Sequence, residues 1–296
     1  MAASDEARRR EAAGRGGKAS ASRPSAAAEG RGELEELVRL VAAGAGYRGL
    51  SRELIASVGA RELAKRRNLK EAVKTTRSKL HQVTGAYFPR KEYDRWLALL
   101  REAAASGERE QMRAACRTIL AQHASTRERL PILDELYTRT LGDVAPLTSV
   151  IDVACGLNPL AIPWMPLAPG AEYRAYDVYP ELAAFLNEAL PLLGVRGTTT
   201  VADVTVAPPT EHAQVALVCK ALPCLEQLDK AAGSRLLDTL DAQRLLVTYP
   251  VRSLGGRGKG MIATYDAQLR RLLEGRGWDV ARYEFATELA FVLAKL

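Results

Sequence analysis

The feature that most constrains the fold is the alternation of strand-like and helical runs after residue 149. We expect strands near 149–154, 173–177, 198–203, 214–219, 243–249, 278–285 and 288–294. Helical periodicity falls between most of them, notably over 180–193, 231–240 and 260–275. Alternation of this kind is typical of a mainly parallel sheet with helices on both faces, an α/β fold. The last two strands are joined by a short turn, so the final strand should run antiparallel.

The chain before this alternation has a helical pattern. Apolar stripes at helical spacing recur in five segments between residues 34 and 121, and no strand pattern precedes residue 122. Residues 1–33 contain no large apolar residue after Met1, which predicts a disordered tail. We therefore divide the chain into a tail (1–33), a helical domain (34–122) and an α/β domain (123–296).

Positive charge is concentrated in one part of the helical domain. The segment 61–91 carries ten basic residues and two acidic ones, a net charge of +8, against +7 for the whole chain. The basic residues are Arg61, Lys65, Arg66, Arg67, Lys70, Lys74, Arg77, Lys79, Arg90 and Lys91. Spacings of four and three residues put Lys70, Lys74 and Arg77 on one helix face. Such a concentration of cations indicates contact with nucleic-acid phosphates.

Composition excludes several classes of protein. No apolar stretch reaches the roughly 18 residues of a membrane span, and the N-terminus has no secretory apolar core. The four cysteines (Cys116, Cys155, Cys219 and Cys224) form no CxxC pair, and no histidine lies at metal-ligand spacing. We expect a cytoplasmic protein with reduced thiols and no metal.

Small and acidic residues follow the first three strands. The first strand leads into "DVACGLNP", where Gly156 would let a ligand approach the backbone. The second strand ends at Asp177 and the third near Asp203. An acid about 20 residues after a glycine turn typically binds a ribose diol, and a second acid could meet an adenine amino group. No GxGxxG or GxxxxGK[ST] follows any of the expected strands, so the order favours an adenosyl cofactor, as in S-adenosylmethionine-dependent methyltransferases.

Four segments make a narrower resemblance. They are "HASTRERL" (123–130), "DVACGLNPL" (152–160), "KALPCLEQ" (220–227) and "YPVRSLGGRGKGM" (249–261). In this order they resemble the aminoglycoside-resistance 16S rRNA methyltransferases that modify N7 of guanosine 1405, over residues 34–296. The resemblance implies a Rossmann-like class I methyltransferase with a seven-stranded sheet and an all-helical N-terminal domain that binds rRNA. It also implies S-adenosylmethionine as cofactor and 16S rRNA in the 30S subunit as substrate. We expect a monomer.

The resemblance assigns roles to individual residues. The implied cofactor-binding residues are Arg129, Ala154, Gly156, Asp177, Asp203, Val204, Leu222 and Gln227. Among them Arg129 would hold the methionine carboxylate, Asp177 the ribose and Asp203 the adenine. Lys220 and Arg257 would act beside the target base as catalytic residues. The residues expected to contact RNA are Arg61, Lys65, Arg66, Lys70, Lys74, Arg77, Arg252 and Lys259.

Simpler interpretations stand beside these roles. Lys220 could extend to solvent from the end of its strand. Arg129 falls in the first turn of a helix expected to start at Ser125 or Thr126, where a cation is unfavourable without a nearby carboxylate. Cys155 and Cys219 are better explained as small buried residues than as nucleophiles, and packing or capping explains His123.

Three other functions stay open. They are methylation of adenosine 1408, methylation of a small antibiotic intermediate, and RNA binding by a degenerate methyltransferase domain. The long helical domain and the segment "LGGRGKGM" favour the guanosine branch.

Overall fold

The computed structural model of the protein describes residues 26–84, 92–251 and 260–295. The helices in these ranges are α1 (Ala26–Ala42), α2 (Arg52–Leu63), α3 (Leu69–Thr84), α4 (Tyr93–Ser106), α5 (Arg109–Leu120), α6 (Ala124–Arg129), α7 (Leu133–Leu141), α8 (Pro180–Leu192), α9 (Leu222–Leu228), α10 (Ala232–Thr239) and α11 (Met261–Leu273). The strands are β1 (Leu147–Val153), β2 (Leu167–Asp177), β3 (Arg196–Val201), β4 (His212–Cys219), β5 (Asp241–Pro250), β6 (Trp278–Glu284) and β7 (Glu288–Lys295).

The seven strands form one sheet in the order β3-β2-β1-β4-β5-β7-β6. Strands β1 to β5 pair in parallel, and β7 runs antiparallel to both β5 and β6. The sequence prediction of seven strands with an antiparallel last strand is confirmed. The strand order reverses between β1 and β4, which is the position where doubly wound sheets bind ligands.

The central strands are apolar because helices cover both of their faces. The last four residues of β1 and a run of four in β4 are buried on both sides of the sheet. The edge strand β6 is largely exposed, and Val280 there retains 41% of its accessible surface. Burial in the centre of the sheet fixes the carboxyl ends of β1, β2 and β4 relative to one another.

The N-terminal helices pack onto this sheet domain. Residues 34–296 form one compact unit. The apolar faces of α1, α2 and α3 share a buried cluster with Leu228 of α9. Helices α4 and α5 join the main core instead, where Trp96 and Phe185 lie with their ring centres 5.6 Å apart. Both groups of helices are therefore in contact with the α/β part of the chain.

Two boundaries differ from the sequence prediction. Helix α1 begins at Ala26, inside the segment interpreted as a disordered tail, since alanine and glutamate favour helix without needing burial. Strand β2 begins at Leu167, before the Pro and Gly that had hidden its first residues. Residues 1–25 lie outside the described residues. In the described ranges no helix is both long and apolar enough to cross a membrane.

Candidate active site

A cavity of about 300 Å³ lies at the carboxyl ends of β1, β2 and β4. Seven residues named from the sequence line it: Ala154, Gly156, Asp177, Asp203, Val204, Lys220 and Gln227. Leu54 of α2 and Val83 of α3 also line it. The helical region therefore forms part of the same cavity as the sheet.

The loop after β1 explains the small residues in "DVACGLNP". Ala154 and Gly156 both have left-handed backbones, with φ values of +50° and +52°. A Cβ on Gly156 would lie 3.4 Å from Cε1 of His123, which is ordinary van der Waals contact, so the requirement for glycine comes from the left-handed φ and not from lack of space. The Gly156 N–H donates to Oδ2 of Asp177 at 2.8 Å, which joins the ends of β1 and β2.

Asp177 is a buried carboxylate at the cavity wall. Its Oδ1 accepts a hydrogen bond from the backbone N–H of Val178 at 2.7 Å. Burial raises the pKa of Asp177 above its ordinary value, although the backbone N–H donors oppose this. A carboxylate held in this way retains acceptor capacity for a hydroxyl donor in the cavity.

Asp203 accepts hydrogen bonds both from a neighbouring residue and from a residue that is distant in the sequence. Its Oδ1 accepts from the backbone N–H and the hydroxyl of Thr205, at 3.0 and 2.6 Å. Its Oδ2 accepts from the hydroxyl of Ser57 on α2. Sequence analysis did not identify Ser57, because no motif surrounds it and 146 residues separate it from its partner.

Lys220 points inward at the end of β4. Its backbone is left-handed, with φ of +56°, and its side chain is 7% exposed. The Nζ atom lies 2.5 Å from the Ser125 carbonyl oxygen, 3.1 Å from Oε2 of Glu128 and 3.3 Å from Oε1 of Glu288. Extension of Lys220 to solvent is therefore wrong, since three acceptors hold its ammonium group at the cavity wall.

Arg129 has a different environment from the predicted one. Helix α6 begins at Ala124 and ends at Arg129, so this residue occupies the last turn and not the first. Its guanidinium is 2% exposed and donates to both carboxylate oxygens of Glu288, at 2.8 and 3.0 Å, and to Oδ1 of Asn158. Arg129 is not among the cavity-lining residues. The carboxylate that it needs is supplied by the protein, and its contact with a cofactor stays a prediction.

Glu288 carries the negative charge for two buried cations. Burial alone would raise the pKa of Glu288, but the charges of Arg129 and Lys220 and hydrogen bonds from Arg129 and Thr248 lower it to about 2. Sequence analysis did not find Glu288, which opens the last strand and follows no recognisable motif.

Two other residues of the "DVACGLNP" segment, Asp152 and Asn158, hold the loop in place through buried hydrogen bonds. Asn158 accepts from the Tyr137 hydroxyl at 2.8 Å and donates to Oδ2 of Asp152 at 2.8 Å. The Tyr173 hydroxyl donates to the same Asp152 oxygen at 2.6 Å. Burial raises the pKa of Asp152 to about 6, against these hydrogen bonds. Asp152 and Asn158 are therefore structural residues that orient Arg129 and the β1 loop.

His123 lines the cavity, although sequence analysis explained it by packing or capping. Its side chain does not cap α6. Burial lowers the pKa of His123, and together with the charges of Lys220 and the neighbouring arginines it brings the pKa to about 3, so the imidazole is neutral at pH 7. Burial also raises the pKa of the Cys219 thiol to about 12 and that of Cys155 well above its ordinary value. Both cysteines are unreactive thiols.

Some predicted residues lie away from the cavity. Leu222, the first residue of α9, is fully buried in the core and is not among the cavity-lining residues, although the adjacent Pro223 is. Arg252, Arg257 and Lys259 lie outside the described residues.

The cations of α2, α3 and the turn between them divide into two groups. Lys65, Arg66, Lys70 and Lys74 are exposed. Arg61 and Arg77 are half-buried. Arg77 donates to the Leu40 carbonyl oxygen at 2.6 Å, and Arg61 lies 3.9 Å from Asp229. The half-buried pair therefore contributes to packing.

The sequence model of the ribosomal RNA methyltransferase (FmrO) family matches residues 43–292 of this chain. The chain belongs to this family. This methyltransferase is 39% identical to the 16S rRNA (guanine(1405)-N(7))-methyltransferase of Frankia casuarinae over 84% of its own length and 89% of that protein. It is 38% identical to the enzyme of the same name from Micromonospora echinospora, over 79% and 86% of the two chains.

A solved structure shares the fold of most of this methyltransferase. The 16S rRNA methyltransferase RmtF, crystallised with S-adenosyl-L-homocysteine, superposes with a TM-score of 0.74 and 31% sequence identity. The match covers 89% of this chain and 98% of RmtF. The Rossmann-like class I methyltransferase fold with a helical N-terminal region is thereby confirmed.

Proposed function

We propose that this methyltransferase transfers a methyl group from S-adenosylmethionine to N7 of guanosine 1405 in 16S rRNA. The observation that carries the proposal is a single cavity lined both by the strand-end residues Asp177 and Asp203 and by Leu54 of α2 and Val83 of α3. Relatives of this name at 37–39% identity support the same position and atom. They favour it over adenosine 1408 and over a small antibiotic intermediate.

The residues at the cavity fit the cofactor. A ribose diol and an adenine amino group are hydrogen-bond donors, and the buried carboxylates of Asp177 and Asp203 are acceptors with spare capacity. Leu54, Val83 and Val204 offer apolar contacts for a purine ring. Bound S-adenosylmethionine supplies an electrophilic methyl group on a sulfonium centre.

The target atom needs little proton chemistry. Guanine N7 presents a lone pair on the major-groove edge and loses no proton before it attacks. The protein must therefore supply alignment, exclusion of water and electrostatic stabilisation instead of a general base. The pKa of His123 is lowered to about 3, which makes its imidazole a weak base, and the thiols of Cys155 and Cys219 are un-ionised, so these groups are consistent with a site without a general base. We propose that the guanosine leaves its helix to reach the cavity.

Lys220 is the cation best placed to hold the target nucleotide. Its ammonium group has three donors and three acceptors nearby: the Ser125 carbonyl, Glu128 and Glu288. Glu128 is the weakest of these partners because its side chain is 33% exposed. When Lys220 exchanges Glu128 for guanine O6 or a neighbouring phosphate oxygen, its other two contacts keep it in position. Arg257 is proposed for a similar role.

The exposed cations of α3 and of the turn before it are proposed to bind rRNA phosphates. Lys65, Arg66, Lys70 and Lys74 give sequence-independent affinity and place the cavity over the target. If about six cations contact phosphates, affinity should fall by roughly three decades between 50 and 200 mM salt. We further propose that the enzyme is a monomer, acts in the cytoplasm and takes the assembled 30S subunit as its substrate.

Methylation at this position changes the drug site. A methylated N7 carries positive charge and extra volume, which opposes binding of a polycationic aminoglycoside. Aminoglycoside resistance is the resulting biological role.

The test is methyl transfer from labelled S-adenosylmethionine to purified 30S subunits, with free 16S rRNA as a parallel substrate. Reductive cleavage followed by primer extension locates the product. A stop at guanosine 1405 is expected. A stop at adenosine 1408 would overturn the assigned nucleotide, and cofactor binding without transfer to either substrate would overturn the assignment to rRNA.

A further inference from the structure

Ser57 reaches the cofactor site from the helical region. It lies in the middle of α2, and its hydroxyl donates to Oδ2 of Asp203. Ser57 is half-buried and does not itself line the cavity, whereas Asp203 does. The hydroxyl therefore acts on the carboxylate and not on a ligand.

The hydrogen-bond inventory of Asp203 leaves a defined vacancy. An ionised carboxylate offers about four acceptor positions. Three are used by the Thr205 N–H, the Thr205 hydroxyl and the Ser57 hydroxyl. One position remains, on the oxygen that Ser57 contacts. Without Ser57, that oxygen would lose the one side-chain donor that it has among the described residues.

The position of Ser57 is itself well determined. The backbone N–H of Ser51, at the start of α2, donates to the Val178 carbonyl oxygen at 2.8 Å, directly after Asp177. Leu54, one turn before Ser57, is buried and lines the cavity. Helix α2 is therefore attached to the end of β2, so Ser57 approaches Asp203 from a fixed direction. The Leu54 carbonyl oxygen, 3.1 Å from the Ser57 hydroxyl, is the only other acceptor among its described hydrogen bonds.

We infer that Ser57 is a positioning residue for adenine recognition: it orients Asp203 so that the remaining acceptor position receives the exocyclic amino group of the cofactor. The inference rests on the proposed contact between Asp203 and adenine. It adds a specificity determinant that comes from the helical region and not from the sheet.

Two ligands that differ at one group test the inference. S-adenosylhomocysteine carries the amino group, whereas S-inosylhomocysteine carries a carbonyl oxygen in its place and an N1–H beside it, so that in the same pose an acceptor would face the Asp203 carboxylate. Titration calorimetry gives Kd for both ligands with the full chain. The wild type should favour the adenosyl ligand by about tenfold or more, because a hydrogen bond to a charged group is replaced by repulsion.

The variants separate positioning from packing. Ser57→Ala should reduce the preference to within about threefold, mainly by weakening the adenosyl ligand. Ser57→Thr, which keeps the hydroxyl, should retain the wild-type preference, and Ser78→Ala on the exposed face of α3 is the matched control. Equal weakening of both ligands by Ser57→Ala would overturn the inference, since loss of packing does not distinguish the bases. If that variant fails to fold, Ser57→Cys, a weaker donor of similar size, should show the same reduced preference.

The variant Asp203→Asn tests the proposed contact between Asp203 and adenine separately from the role of Ser57. A wild-type preference in this variant would show that Asp203 does not read the amino group, and the proposed contact would fall. Loss of preference in Asp203→Asn with retention in Ser57→Ala would overturn the role of Ser57 alone. The measurement uses no RNA, so its outcome is independent of which nucleotide is methylated.

Discussion

Replacement of Glu288 by glutamine should destabilise the protein strongly, because one buried carboxylate neutralises two buried cations. The Glu288 side chain is fully buried, and that of Arg129 is 3% exposed. Removing one partner of a buried ion pair costs about 3–5 kcal/mol. The pKa of Glu288 gives a second figure: a fall from 4.5 to about 2 corresponds to about 3 kcal/mol of preferential stabilisation of the carboxylate.

The two figures agree, and both give a measurable shift. About 3 kcal/mol lowers Tm by roughly 6–10 °C in a domain of this size. Glu128→Gln is the matched control, since Glu128 contacts Lys220 at 3.1 Å but is 33% exposed. A partly exposed pair contributes at most about 1 kcal/mol, so its Tm should fall by no more than about 3 °C. Thermal unfolding followed by circular dichroism measures both variants.

The pH dependence of the same comparison has a definite sign. The folded-state pKa of Glu288 lies below its ordinary value, so its stabilisation is complete above pH 4.5 and is lost as the pH falls towards 2. The Tm difference between the wild type and Glu288→Gln should be constant near neutral pH and should narrow below 4.5. Equal Tm values for the two glutamine variants, or a difference that is independent of pH, would refute this account of the buried network.

Three further outcomes are expected. Gly156→Ala should cost about 1–2 kcal/mol of stability in a denaturant titration, because its left-handed φ is unfavourable for alanine; an unchanged midpoint would contradict this. Asp177→Asn should weaken S-adenosylhomocysteine binding by at least about tenfold in calorimetry, since an amide keeps only one acceptor oxygen; an unchanged Kd would exclude Asp177 from the site. Charge reversal of Lys70 and Lys74 should weaken 30S binding in a filter assay and flatten its salt dependence while Kd for S-adenosylhomocysteine is retained; loss of cofactor affinity would indicate a structural role.

Local sequence patterns predicted most of the sheet. Strands at the centre are continuous apolar runs between turn residues, so all seven were identifiable. Helix α9 was not predicted, because seven residues with a proline at the start give too short a periodic signal. The short helical turn over Asn158–Trp164, which contains two prolines, was missed for the same reason.

The site residues that could be predicted are those that directly follow strands. Gly156, Asp177 and Asp203 follow successive strands, and the topology brings them to one edge of the sheet. Ser57 and Glu288 could not be found in this way, since each acts through a side chain more than 140 residues distant in the sequence. For Arg129 the sequence predicted the need for a carboxylate but not which residue supplies it.

The cavity is lined by residues of both the sheet and the N-terminal helices, and this has a consequence for the design of inhibitors. An adenosine mimic that stays against Gly156 and Asp177 would depend only on features of the sheet domain. A compound extended towards Leu54 and Val83 would gain contacts with α2 and α3, helices that lie outside that domain. Such a compound should discriminate this methyltransferase from enzymes whose cofactor cavity is built by the sheet domain alone, and resistance to it would arise through substitutions in α2 and α3.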